Sequence, residues 1–267
     1  MTDGTQHRQR RRQQARETLD LGRKAIRHGL PSPPPKDIVV AAGLILRQKL
    51  NEPANMQRAS EAADIAATLL DRSLAKQPAP EAIACRRGCA FCCHIQVWAT
   101  PPEIFSVARW VQTKGARSAG LSPAAVLARA GRLSGIAHTR RQGLPCPLLV
   151  EADCGVYAAR PQACRRFHSL SREACEAGGE VPDDLFSAQV GSLVHLLLVG
   201  ALRSVGLPDA SYELSDGLAR VLPDPGMEAR WLAGEAVFAG LATDRPRTAK
   251  DQGYVEQITG LIRAADA

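Results

Sequence analysis

Eight cysteines fall between Cys85 and Cys175, and the rest of the 267-residue chain has none. Four are packed into Cys85-Arg-Arg-Gly-Cys89-Ala-Phe-Cys92-Cys93, and Cys146, Cys154, Cys164 and Cys175 follow. Thiols separated by three and by two intervening residues can be presented by one tight loop to a single centre. Clustered thiolates bind soft and borderline metals such as zinc and iron. Gly88 gives this loop the backbone freedom it needs. Cys92 and Cys93 are adjacent, and neighbouring side chains point apart in an extended chain. The pair therefore reads as two nearby metal sites, or as one ligand beside a packed thiol. In the second arm, Pro161 is placed to open a helix with Cys164 in or just after its first turn. A helix N-terminus favours the thiolate there.

An even number of cysteines also admits a disulfide framework. The basic N-terminal residues are not followed by the apolar stretch of an export signal, so a reducing, cytoplasmic setting is expected. That setting favours metal over disulfides.

The motifs taken together are Cys85/Cys89/Cys92/Cys93, Thr100-Pro-Pro-Glu103-Ile, Cys146-Pro-Leu-Leu, Cys154-x-Val-Tyr157 and Arg160-Pro161-x-x-Cys164-Arg165-x-Phe167. In these the chain resembles the CxxCxxCC cysteine-cluster family, the YkgJ-like proteins, over about residues 83–170. The resemblance implies zinc or iron chelation and no particular reaction. One departure is the three-residue gap after Cys85, where the family name has two. A few larger relatives in the family resemble flagellin lysine-N-methylases, but no glycine-rich methyl-donor motif supports that activity here. The expected metal ligands are Cys85, Cys89, Cys92, Cys93, Cys146, Cys154 and Cys164, and Cys175 lies outside the motif. Arg160, Arg165 and Tyr157 are the candidates for contact with the metal's ligands from behind. Arg160 could donate to thiolate sulfur or serve a structural ion pair. Of Arg165 and Arg166, at least one should face solvent. Arg86 and Arg87 could offset thiolate charge or be exposed. Tyr157 and Phe167 read as packing residues. His94 and His168 could complete a Cys/His site, although the thiols suffice without them. His195 reads as a satisfied core histidine.

The elements that must position these residues read as helices. Composition is 45% hydrophobic with only 4% aromatics, rich in Ala and Leu, which favours helix over sheet. Five arginines, Arg8, Arg10, Arg11, Arg12 and Arg16, face the single acid Asp3 in the first 16 residues, so much of the net charge of +7 sits in one tail. This Gln/Arg-rich tail reads as disordered. No aromatic platform accompanies it, so a nucleic-acid partner is disfavoured. Helices are expected over about 14–29, from a cap at Asp37 to 50, and over 55–75, with Pro31–Pro35 a stiff linker. Thr100-Pro-Pro-Glu103 is a capping box, and Ser122-Pro123 caps a helix toward Ala137. Beyond Pro182 come an apolar helix to about 205, then helices near 211–221, 226–241 and 251–264. The apolar helix is expected inside the protein rather than across a membrane.

The expected fold is mainly α: a helical protein with a cysteine-rich, metal-stabilised loop/helix domain. Its organisation is a tail, short helix and linker over 1–35, a helical segment over 36–80, the cysteine-cluster domain over 81–175 and a C-terminal helical segment over 176–267. Nucleotide-binding loops, H-E-x-x-H and G-x-S-x-G are missing, so no catalytic residue stands out. Three functions compete: an iron–sulfur or zinc centre in redox, sensing or metal handling; a structural zinc module supporting partner binding; and a metal-dependent enzyme. All-thiolate sites argue against zinc hydrolysis, which keeps an open position.

Overall fold

The computed structural model describes residues 3–86, 88–115, 119–134, 136, 143–178, 180–244 and 247–266. Among these it has eleven α-helices and four strands of two residues each, so the mainly α expectation holds. Helix α1 is Asp3–His28, α2 Lys36–Leu50 and α3 Arg58–Leu74. The cysteine region holds strand β1 (Trp98–Ala99), helices α4 (Pro101–Thr113) and α5 (Pro123–Leu133), hairpin strands β2 (Leu149–Val150) and β3 (Asp153–Cys154), and short helices α6 (Gln162–Arg166) and α7 (Arg172–Ala177). Then come α8 (Leu185–Ser204), β4 (Tyr212–Glu213), α9 (Leu214–Val221), α10 (Met227–Leu232) and α11 (Ala249–Asp266).

Helix α8 is central, with α2, α3, α6 and α11 packed against it. It is long and apolar enough to cross a membrane, at a mean hydropathy of 1.8, but half of that stretch is buried inside the protein. Small residues let the helices close in. A Cβ on Gly43 would meet Ile262 Cδ1 at 2.7 Å, and one on Gly200 would meet Ile258 Cγ2 at 2.7 Å. Helix α4 packs on α3 and α9, and Phe105 on it meets Trp231 and Phe238 at centroid distances of 5.7 and 5.6 Å. One buried cluster runs from Ala25 through Leu69, Ile104, Val156 and Leu197 to Phe238. The cysteine region thus shares its core with the helices on both sides of it in sequence.

Several boundaries differ from expectation. The tail expected to be disordered is helical from Asp3, because Arg and Gln are good helix formers. Gln13 Nε2 also donates to Glu17 Oε1 at 3.0 Å across one turn, while residues 8–17 stay exposed. Pro35, not Asp37, is the N-cap of α2, and Asp37 sits in its first turn. Helix α9 starts at Leu214 because Tyr212–Glu213 pairs as a strand with Trp98–Ala99. Helix α10 stops at Leu232, short of the expected 241, where Gly234 turns the chain at φ 93°. Helix α5 stops at Leu133, short of the expected Ala137, because Ser134 turns to extended backbone at φ −61° and ψ 134°; residue 137 itself lies outside the described residues.

Candidate metal centre

The first arm is a loop pinned at its base and turned at Gly88. Ala84 N donates to Ser169 O at 2.8 Å, and Gly88 takes φ 82°, where a side chain would be strained. Phe91–His94 then form one turn of 3-10 helix rather than extended chain. The turn brings Cys92 and Cys93 together instead of apart, close enough for their thiols to act on each other.

The second arm is tied to the first through backbone. Cys146 N donates to Cys93 O at 2.7 Å, and Gly143 N to His94 O at 2.9 Å. Cys154 is carried by the hairpin, paired with Leu149. Cys164 lies in α6, where Pro161 precedes the first helical residue and Cys164 N donates to Pro161 O at 3.0 Å. Helix α6 is held from two sides. The buried Glu103 of α4 accepts from Gln162 N at 2.8 Å while closing its own capping box on Thr100 N at 2.8 Å. Arg165 donates to Ala158 O at 2.6 Å, to Arg160 O at 2.7 Å and to Asp71 of α3.

These connections place Cys89, Cys92, Cys93, Cys146, Cys154 and Cys164 on the wall of one open cavity of about 1060 Å³. Cys85 stands to one side. Its sulfur accepts from Ser169 N at 3.2 Å and lies 3.9 Å from Phe167 O. Cys89, Cys92 and Cys175 all lie close enough to Cys85 to act on its thiol, which burial above all pushes up. All eight thiols are free.

Electrostatics divide the thiols. The neighbouring Cys93 thiol brings Cys92 down to about 6, with Arg160 and His94 adding to the effect against burial. Cys93, which keeps its proton beside Cys92 and is itself buried, is pushed up. Burial pushes Cys146 up to about 12, raises Cys154, and raises Cys164 well above the ordinary thiol value. The expected help to Cys164 from a helix N-terminus is therefore outweighed. Helix α6 has only five residues, and the loss of water around the sulfur dominates. Cys146, Cys92 and Cys154 each add to the rise at Cys164, so these four act on one another.

The side chains behind the thiols partly differ from expectation. Arg160 lies over the Tyr157 ring at 3.9 Å, and its buried Nε has no hydrogen-bond partner among the described residues. Tyr157 is 55% exposed, so it covers Arg160 rather than filling the core. Arg165 is 4% exposed and Arg166 is half-buried, so neither faces open solvent. Arg165 is engaged by the backbone carbonyls and Asp71. Phe167 lines the cavity, as do Arg86 and His195; Arg87 lies outside the described residues. His94 and His168 are absent from the wall: His94 Nδ1 lies 3.1 Å from Ala90 O, and His168 Nδ1 lies 2.8 Å from Ser187 Oγ. Sequence reading missed Glu103, and the backbone N–H of Gln162 that it holds, as supports of α6. The capping box did mark Glu103 as structurally engaged, but nothing in the sequence marked Gln162.

A metal fits this set in kind and number. The wall carries six thiols, and a neighbouring guanidinium offsets thiolate charge. The sulfurs are grouped without yet converging. Among the described residues, no three Cys, His, Asp or Glu side chains stand in position to hold one ion.

Fold and site together define a helical protein built around a cysteine-rich chelating domain. Residues 84–181 match the CxxCxxCC family, described as "Putative zinc- or iron-chelating domain". The match reaches past Cys175, which sequence reading placed outside the motif. No curated protein and no solved structure matches the chain significantly.

Proposed function

We propose that the six cavity cysteines hold an iron–sulfur cluster, in a cytoplasmic protein that uses it for redox, sensing or metal handling. The observation that carries this reading is the number of sulfurs on one wall: six thiols exceed the four that close a mononuclear zinc site. Cys92, Cys146, Cys154 and Cys164, which act on one another, are the central ligands. Cys89 and Cys93 complete the set or exchange with it, and Cys85 with Cys175 lies at its edge. Arg160 donates its buried Nε–H to a ligand sulfur. Such hydrogen bonds stabilise a cluster's charge and set its potential. Tyr157 holds the guanidinium in place, and Arg165 acts indirectly by fixing α6.

Protein purified without air tests the proposal through its absorption spectrum and its iron, sulfide and zinc content. A brown protein absorbing near ~400 nm is expected of thiolate-ligated iron. A colourless protein holding zinc alone would overturn it.

The structural zinc reading draws on a different observation. The cysteine arms carry little regular structure, only 3-10 turns, a two-residue hairpin and the five-residue α6. Metal binding would stabilise such loops. Under that reading zinc fills the site, and its removal loosens the loops without abolishing partner binding by the flanking helices.

A further inference from the structure

The cavity that carries the thiols extends well beyond them, to His195 and Ser192 of α8, Leu214 of α9 and Gln252 of α11. Gln162 sits on the same wall. It is 2% exposed, yet neither Oε1 nor Nε2 of its amide has a hydrogen-bond partner among the described residues. Leaving both ends of a buried amide unmet costs a few kcal/mol (about 1–3 for each group). The backbone of Gln162 is anchored by its N–H donating to Glu103.

Arg166, one helical turn further along α6, lies on the same wall. Its aliphatic stem crosses α8 at Gly191, where an added Cβ would meet Arg166 Cβ at 2.4 Å and Cδ at 2.5 Å. The glycine leaves the room that the arginine stem occupies. No hydrogen bond or ion pair among the described residues engages the Arg166 guanidinium, although its charge acts on Asp183 and His195. The other arginines of the cavity's far end are already occupied: Arg203 and Arg247 both donate to Asp209, at 2.7 and 2.8 Å.

We propose that this part of the cavity is a binding site for a small organic acid bearing a hydroxyl on the carbon next to its carboxylate. Arg166 takes the carboxylate. Gln162 accepts from the hydroxyl through Oε1 and donates to the carboxylate through Nε2, so both unmet amide groups are satisfied by one ligand. An ammonium in place of the hydroxyl would sit beside a guanidinium, so the hydroxy acid is preferred over the amino acid. Val97, Leu148, Leu196 and Leu214 on the wall offer apolar contact to the rest of the molecule. The inference is independent of which metal the thiols hold.

Mandelate, phenylacetate and mandelamide, titrated calorimetrically into the full-length protein as purified without air, form the test. Mandelate is expected to bind about tenfold more tightly than phenylacetate, which lacks the hydroxyl, and than mandelamide, which lacks the charge. Gln162→Met should erase the preference over phenylacetate, and Arg166→Met the preference over mandelamide, with metal content unchanged in both. Without ligand, Gln162→Met should melt at a higher temperature than the parent, because an unmet buried amide has been replaced by an apolar chain of similar shape. Equal binding of mandelate and phenylacetate, no binding of any of the three below about 10 mM, or a lower melting temperature for Gln162→Met would overturn the proposal. Metal content measured on the same samples separates this outcome from failure of the metal reading.

Discussion

Cys92 and Cys164 occupy one cavity and differ sharply in chemistry. Cys92 lies beside the Cys93 thiol and near Arg160, so it is brought to about 6 and is largely thiolate at neutral pH. Cys164 is buried and stays protonated until a metal displaces its proton. In metal-free protein at pH 7, iodoacetamide should therefore label Cys92 first and Cys164 last, as read by peptide mass mapping. Labelling of Cys92 should slow as pH falls below about 6. Uniform labelling across the six cavity cysteines would contradict the action of the vicinal thiols on each other. For the loaded protein, Cys92→Ser and Cys164→Ser should each remove most of the bound metal, measured as metal per chain. Cys175→Ser should leave it nearly unchanged. Cys85→Ser is expected to have an intermediate effect, because Cys85 touches the backbone at 167–169 rather than the cavity.

At the scale of elements, two carboxylates join parts of the chain far apart in sequence. Glu103 caps α4 and holds the start of α6, so it couples the helix under the site to the helix bearing Cys164. Glu103→Ala removes a capping box and leaves the Gln162 N–H unmet in the interior. A loss of about 2–4 kcal/mol is expected in urea unfolding, with reduced metal content. Preserved stability would mean that α6 is seated by Arg165 alone. Glu228 of α10 similarly accepts from Ser60 N at 2.7 Å in the first turn of α3, which has no side-chain cap of its own. Burial raises its pKa above the ordinary 4.5. A raised pKa favours the protonated form in the fold. The stability it contributes is thus present in full below pH 4.5 and is lost as pH rises through the raised value. Glu228→Gln should accordingly gain melting temperature relative to the parent as pH rises from 4 to 7. A difference that stays flat over that range would show that the carboxylate is not titrating in the fold.

Over the whole molecule, one core continues from the N-terminal helices through the cysteine region to α11. Helices α1, α2, α3, α8 and α11 pack on one another as long elements, whereas the cysteine arms contribute only short ones. Removing metal with a chelator should therefore lower the melting temperature while most of the far-ultraviolet helical signal remains. Protease sensitivity should rise in the loops around 84–93 and 143–164 rather than in the bundle. Collapse of the entire helical signal on chelation would mean that the core depends on the metal.

Much of this was legible in the chain because it depends on local chemistry. Cysteine spacing located the chelating segment, apolar periodicity gave most helices, and Thr100/Glu103 and Ser122 marked their caps, since each rests on residues within a few positions of one another. The helical N-terminus was misread because opposing local tendencies, high charge and good helix propensity, are nearly balanced there. The course of α10 was also misread, because Gly234 ends a pattern that apolar spacing alone would continue. Tertiary structure decided what depends on residues distant in sequence. It left Cys85 off the cavity wall, with its sulfur accepting from Ser169 N, although Cys89 and Cys92 still act on it. It outweighed the helix terminus at Cys164 with burial. It also placed an unmet amide, Gln162, and a guanidinium without a hydrogen bond among the described residues, Arg166, on the wall that the thiols share. The physical reason is that ligand type follows from side-chain identity, whereas solvation and hydrogen-bond satisfaction are set only when the chain packs.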